Sequence, residues 1–330
     1  MEESFLYRRM VGSVPGNTGT LSEPKGTPEP RFALAGTVNW MRALVLLCEH
    51  RGATWPVLQR SYATIERAGL CEAAINTVFE QLLMSLHHLA ALRVMADARA
   101  DCNLVRSGIV TWYYGVYCAA TAMVAAQTGT VQDDHTGSAN QWDRQIAARG
   151  LAVRPFDFRL TTLLRKDAEP ELTSMRGGST FTIANRPATV SDAIGACISY
   201  LSGTREYREW KVSEGLQPEL RRRKLSGFRT KVARQLRDDR LRGKTLGFVH
   251  QAFRYRGKAN YRDALFLTYE AQVETMIDGF LRDMQAVLRA FLVMAGAFCA
   301  RRIGEANWRA FVDDLESHLS LAVMPDEIWS

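Results

Sequence analysis

This chain has no paired cysteines, few prolines and no long run of strongly apolar residues, and each shortage removes a class of answer. Its six cysteines (Cys48, Cys71, Cys102, Cys118, Cys197, Cys299) are scattered, with no CxxC pair and no histidine at ligand spacing. Most fall in apolar helical contexts, where a free thiol behaves as a small hydrophobe, so they read as reduced residues of a cytoplasmic protein. Ten prolines in 330 residues, with few closely spaced turn signals, argue against an all-β chain. The first ten residues, MEESFLYRRM, have no apolar stretch of the kind a secretory leader needs. Residues 107–131 carry no charge, yet they are dominated by Ala, Gly, Thr and Tyr and contain no Leu. That composition reads as a core helix and not as a membrane span.

Catalytic signatures are equally scarce. There is no HExxH and no GxSxG. Gly243-Lys244-Thr245 imitates the end of a phosphate-binding loop, but Asp238 stands where that loop needs its first glycine, and no strand pattern leads into it. His87 and His88 are adjacent on a helical pattern, so their side chains diverge by about a hundred degrees and face one metal poorly. No cofactor or metal is expected. Asp133-Asp134-His135 reads as a helix-capping turn.

What the chain does have is helical periodicity. Val105, Ile109, Trp112, Val116, Ala119 and Met123 recur in steps of three and four, with a second row at Val110, Tyr113, Tyr117, Ala120 and Val124. A helix apolar on two rows is buried on most of its surface. It should stop at Thr128-Gly129. Further helices are expected from Val38, over Trp55–Arg67, Cys71–Ala100, Ala139–Arg149 and Phe156–Lys166, and from the capping pair Thr189/Asp192 towards Trp210. Asp167–Ala188 reads as a loop. A long helix should begin at Asn260 as N-cap and break near Gly279, and a last one should run over Asn307–Leu321. The fold class is therefore all-α: an antiparallel helical bundle followed by a second, basic helical region. The expected organisation is a flexible leader over 1–31, a bundle over 32–204 and a basic helical domain over 205–330 packed on it.

Charge is distributed unevenly. Between Arg205 and Arg262 there are eighteen Lys and Arg against six Asp and Glu, an excess of twelve in a chain whose net charge is only +7. Leu225, Phe228, Val232 and Leu236 form a narrow apolar row after Pro218, which predicts an amphipathic helix with its cations turned outwards. A clustered excess of one sign, interleaved with Phe253, Tyr255 and Tyr261, is the footprint of polyanion binding: cations hold phosphates and rings stack bases. The expected contacts to RNA or DNA are Arg222, Arg229, Arg237, Arg240, Lys244, Arg254, Arg256 and Lys258.

One stretch resembles a known family. Arg106-Ser107, Trp112-Tyr113-Tyr114, the Ala-rich helix that follows, and His135-Thr136-Gly137-Ser138 are similar to the HEPN superfamily of α-helical domains over residues 104–160. Gly115 stands where the family's Tyr-Tyr-Ala pattern has alanine, and His135 is followed by Thr-Gly-Ser in place of Ser-Gly. The resemblance implies an antiparallel bundle, a homodimer or a cognate protein partner, and a place in prokaryotic defence or toxin–antitoxin systems acting on RNA. Many HEPN proteins are metal-independent ribonucleases that use an Arg and a His a few residues apart on a helix. Here Arg42 with His50 and Arg242 with His250 are more widely spaced, so the resemblance points first to a nucleic-acid-binding protein. A ribonuclease would draw His135 as acid–base, with Arg106 or Arg144 on the phosphate. A structural scaffold subunit is the third reading.

Overall fold

A computed structural model describes residues 30–98, 101–261 and 277–330. About 73% of the described residues are helical, and among them the only β pairing is one antiparallel bridge, Leu160 with Leu246. The all-α expectation holds. The helices are α1 (Pro30–Arg51), α2 (Trp55–Ser61), α3 (Glu72–Asp97), α4 (Asp101–Thr128), α5 (His135–Gln145), α6 (Arg165–Arg176), α7 (Val190–Arg222), α8 (Lys231–Leu241), α9 (Phe248–Tyr261), α10 (Phe280–Ile303), α11 (Glu305–His318) and α12 (Asp326–Trp329).

α4 is the axis of the bundle, enclosed by α3, α5, α9 and α10. The first predicted row, Val105, Ile109, Trp112, Val116, Ala119 and Met123, is buried throughout, and of the second row Tyr113, Ala120 and Val124 are buried while Val110 and Tyr117 are half-buried. The stretch Asn103–Thr128 is long and apolar enough to cross a membrane, yet most of it is packed against protein. Register follows from the packing. Ser85 Oγ donates to the Gly115 carbonyl at 2.9 Å, while Leu92 lies beside Gly108, so α3 runs antiparallel to α4. Leu281 and Met284 meet Gly108 and Leu288 meets Gly115, so α10 runs parallel to α4. The close approach of Leu288 and His88 leaves no room for a side chain at Gly115. A Cβ there would lie 2.5 Å from Leu288 Cδ2 and 3.2 Å from His88 Cβ. At its C-terminus α4 is closed by Arg302, which donates to the carbonyls of Ala126 and Gln127, where a cation also meets the negative end of the helix dipole.

α10 also packs on α1, α2 and α3, and a single hydrophobic core runs from Val38 to Trp329. The expected boundary at 204/205 falls inside α7, and the second half of the chain supplies a central helix of the bundle. The expected leader lies outside the described residues except for its end, because α1 begins at Pro30.

Individual elements agree and disagree with the sequence in particular ways. Asp134 caps α5, its Oδ1 accepting from the Thr136 and Gly137 amides at 2.9 and 2.8 Å, and Thr189 with Asp192 forms the capping box of α7. Residues 156–166 do not form the expected helix. Phe156, Phe158 and Leu160 are buried in alternation, with Phe156 in a turn over 154–157 and Leu160 in the bridge to Leu246. The expected loop at 167–188 is half helix, α6, which carries Pro170 in its interior. α7 runs through Pro218 to Arg222, and a turn with Lys224 at φ 57° and Gly227 at φ 132° interrupts the amphipathic helix expected over Leu225–Leu236. Asn260 lies inside α9 and does not cap a new helix, and the predicted continuation over 262–276 lies outside the described residues. Gly279, at φ 73°, does mark the break before α10.

Candidate functional site: two cationic regions

The end of α7, the turn and α8 form a helical hairpin, with Leu216 and Leu220 of α7 and Ala233 and Leu241 of α8 buried. The inward positions on α8 are therefore 233, 237 and 241, one helical turn apart. That phase corrects the expected one. Val232, expected inside, is 56% exposed, and Phe228 and Leu236 are only half-buried. Arg237, expected outside, turns inwards and bridges Glu209 at 3.0 Å and Asp238 at 2.9 Å. The rest of the hairpin is a cationic surface. Arg221, Arg222, Arg223, Lys224, Arg229, Lys231, Arg234, Arg240, Arg242 and Lys244 are exposed. Glu219 pairs with Arg223 at 2.7 Å and sits 3.9 Å from Arg240, and Asp239 pairs with Arg242 at 3.1 Å. Among the described residues no carboxylate pairs with Arg221, Arg222, Lys224, Arg229, Lys231, Arg234 or Lys244. The patch includes three of the expected phosphate ligands, Arg222, Arg229 and Lys244, fully, and Arg240 with its distant Glu219.

Two further expected ligands on α9, Arg254 and Arg256, belong to the interior. Arg254 and Arg256 are each 9% exposed. Arg254 Cζ lies 5.0 Å from the Tyr207 ring and 5.6 Å from Tyr200, and its Nη1 donates to Thr204 Oγ1 at 3.0 Å. Arg256 Cζ lies 4.9 Å from Tyr113, 5.2 Å from Phe253 and 5.7 Å from Tyr114, whose hydroxyl accepts from Nη1 at 3.1 Å. Guanidinium groups over ring faces gain from the quadrupole of the rings, most where water is excluded. These two arginines cannot lie on a solvated phosphate-binding face. The side chain of Lys258 lies outside the described residues.

Tyr113, Tyr114 and His135 gather around Arg256. His135, the first residue of α5, is half-buried, stacks on Phe253 at 5.4 Å, and meets Tyr113, Tyr114 and Tyr117 edge-on. Its Nδ1 is 2.8 Å from the Tyr113 hydroxyl. Burial and the positive charge of Arg256 lower the histidine's pKa below 6.5, against a smaller upward pull from Asp134. Burial raises the Tyr113 pKa far above that of a free phenol. A neutral imidazole beside a phenol that keeps its proton is best matched by Tyr113 donating to Nδ1, which leaves the ring proton on Nε2. Neither expected arginine is the cation here. Arg144 is exposed about 13 Å further along α5, and Arg106 is exposed about 10 Å before Tyr113 along α4.

Below this cluster a second network fastens α5 to α9. Asp143, 1% exposed, accepts from Arg159 at 3.1 and 3.0 Å and from Thr245 Oγ1 at 2.5 Å. Thr245 of the loop-like tripeptide is thus spent on a buried carboxylate. His250 Nδ1 accepts from the Gly247 amide at 3.1 Å, and its Nε2 faces Asn140 Oδ1 at 2.9 Å. Burial, with the charge of Arg208, pushes the His250 pKa down to about 4. With both carboxylate oxygens of Asp143 engaged, the network holds structure. Sequence reasoning missed Asp143 and Arg159 and weighed His250 only as a partner of Arg242; the alternation of buried Phe156, Phe158 and Leu160 with half-buried Asp157 and Arg159 is the unused signal. Comparison of the chain with protein-family models, with curated proteins and with solved structures found no match.

Proposed function

We propose that this is a cytoplasmic, HEPN-like helical protein of a prokaryotic defence or toxin–antitoxin system that binds RNA or DNA through the α7–α8 hairpin. The observation that carries the binding is the row of exposed cations from Arg221 to Lys244, most of them without a carboxylate partner among the described residues. Structural surface charge in proteins is usually interleaved with the opposite sign. Unneutralised cations gathered on one helical hairpin suit a polyanion, because each phosphate they neutralise releases a condensed counterion. The family reading is supported by the meeting of Tyr113, Tyr114 and His135, the residues of the resemblance, in one cluster. Binding is favoured over the ribonuclease reading because Arg106 and Arg144, its expected phosphate ligands, lie away from His135 along their helices.

The test is a gel shift of purified protein with a single-stranded RNA and a duplex DNA of equal length at low and high salt. Retention at low salt that is lost at high salt, and lost at low salt in the R229Q/R234Q/K244Q variant, is the expected result. No shift with either nucleic acid, or a shift indifferent to salt, would overturn the reading.

A further inference from the structure

The α4–α5–α9 cluster contains a buried cation with no anion beside it among the described residues. Arg256 is 9% exposed, and no carboxylate there pairs with it. Its Nε is buried with no acceptor, and its Nη1 meets only the neutral hydroxyl of Tyr114. A guanidinium offers five N–H donors in a planar fork, so most of its capacity is unused. Desolvating a full positive charge is costly, and an arginine held against ring faces alone has no anion to neutralise it. The neighbouring groups are also donors or neutral. His135 has Nδ1 engaged by Tyr113, with its proton placed on Nε2, and it is only half-buried at the rim. Ser138 Oγ lies 3.4 Å from the Tyr117 hydroxyl and donates to the Gln132 carbonyl, so it adds no negative charge.

The aromatic walls add a second feature. Phe253, Tyr113 and Tyr114 each face both Arg256 and His135. The cation and the imidazole therefore share three aromatic neighbours, Arg256 buried among them and His135 half-buried beside them. We propose that this site binds a phosphoryl group, with the guanidinium of Arg256 supplying charge and paired donors and His135 Nε2–H a further donor. A planar fork matches two phosphate oxygens in a way a lysine ammonium does not. The proposal is independent of the hairpin: it concerns one anion at a buried arginine, not a polyanion along an exposed surface. The phosphoryl group can come from a mononucleotide, from the end of a nucleic-acid strand or from free phosphate.

Calorimetric titration of the full chain separates these sources and tests the site. The probes are inorganic phosphate, adenosine 5′-monophosphate, and one short RNA with either a 5′-phosphate or a 5′-hydroxyl. Wild type should bind at least one phosphate-bearing probe, and R256Q should weaken that binding by on the order of tenfold or more, the loss of a charged hydrogen bond. R256K should recover part of it, and H135Q should weaken it less than R256Q does. The R229Q/R234Q/K244Q variant should hold inorganic phosphate and the mononucleotide as wild type does, even where its binding of long RNA fails. Should R256Q fail to fold by circular dichroism, H135Q at the half-buried rim decides: unchanged affinity there overturns the proposal. So does the absence of binding by wild type to every phosphate-bearing probe, or an equal loss of mononucleotide binding in the hairpin variant.

Discussion

The hairpin of α7 and α8 and the helix α9 both belong to the basic stretch between Arg205 and Arg262, and they use their cations in opposite ways. On the hairpin the arginines stand in water, with few carboxylates and few rings near them. On α9, Arg254 and Arg256 are buried against tyrosine and phenylalanine faces, and His250 is buried neutral beneath them. A charge count treats the two alike. What separates them is the neighbouring aromatic density: rings can host a guanidinium in the interior, and a helix without them must leave its cations outside. Within the hairpin the same point recurs on a smaller scale. Arg237 turns inwards because Glu209 and Asp238 are there to meet it, and Val232 is left outside.

The strongest way to break this contrast is at the base of α9. D143A removes the partner of Arg159 and Thr245 and leaves a half-enclosed guanidinium unpaired. It should cost about 3 to 5 kcal/mol by denaturant unfolding, the usual penalty for stripping one member of a buried pair. A loss no larger than that of an exposed arginine would place this network at the surface.

Next in size is a pH effect. His250 titrates near 6.5 when unfolded and at about 4 in the fold. Between these values the unfolded chain binds more protons, so stability rises with pH. The contribution is whole above pH 6.5 and is lost as pH falls towards 4, amounting to about 3 kcal/mol. The difference in unfolding free energy between wild type and H250Q, measured across that window, should shrink as pH falls. A constant difference would show that His250 is not buried as a neutral ring.

R256A should then cost about 2 kcal/mol, from the loss of a desolvated cation–π interaction with three rings. R229A on the hairpin should leave the melting temperature almost where it was. The smallest effect is expected at V232A, within about 0.5 kcal/mol, because that side chain is mostly in water. A cost above about 2 kcal/mol there would restore the apolar row Leu225-Phe228-Val232-Leu236 as the inner face.

α4 is legible in the sequence because two apolar rows over more than five turns leave one consistent phase, and the capping residues Asp134 and Thr189 carry their own signature of acceptor followed by free amides. α6 is not, because Ala168 and Leu172 are its only buried side chains and Pro170 sits on its outer side. The segment after Pro155 has the period of a strand and not of a helix: Phe156, Phe158 and Leu160 alternate, and only a single bridge uses the pattern. His135 is legible as a candidate residue, but that Arg256 is its neighbour is not. Arg256 lies far along the chain, and only the packing of α9 across α4 brings it beside Tyr113 and Tyr114. The alternation Phe253-Arg254-Tyr255-Arg256 is the signal that separates these arginines from the exposed run before them.

The contrast between the two regions is tested most directly by the slope of log affinity against log salt for one RNA, measured by fluorescence anisotropy on two variants. R229Q/R234Q/K244Q should reduce the slope by about one for each phosphate no longer neutralised, while the melting temperature holds. R254Q should lower the melting temperature and leave the slope unchanged. The reverse pattern, an unchanged slope in the hairpin variant with a reduced one in R254Q, would contradict this division of the cations and put the nucleic-acid interface on α9.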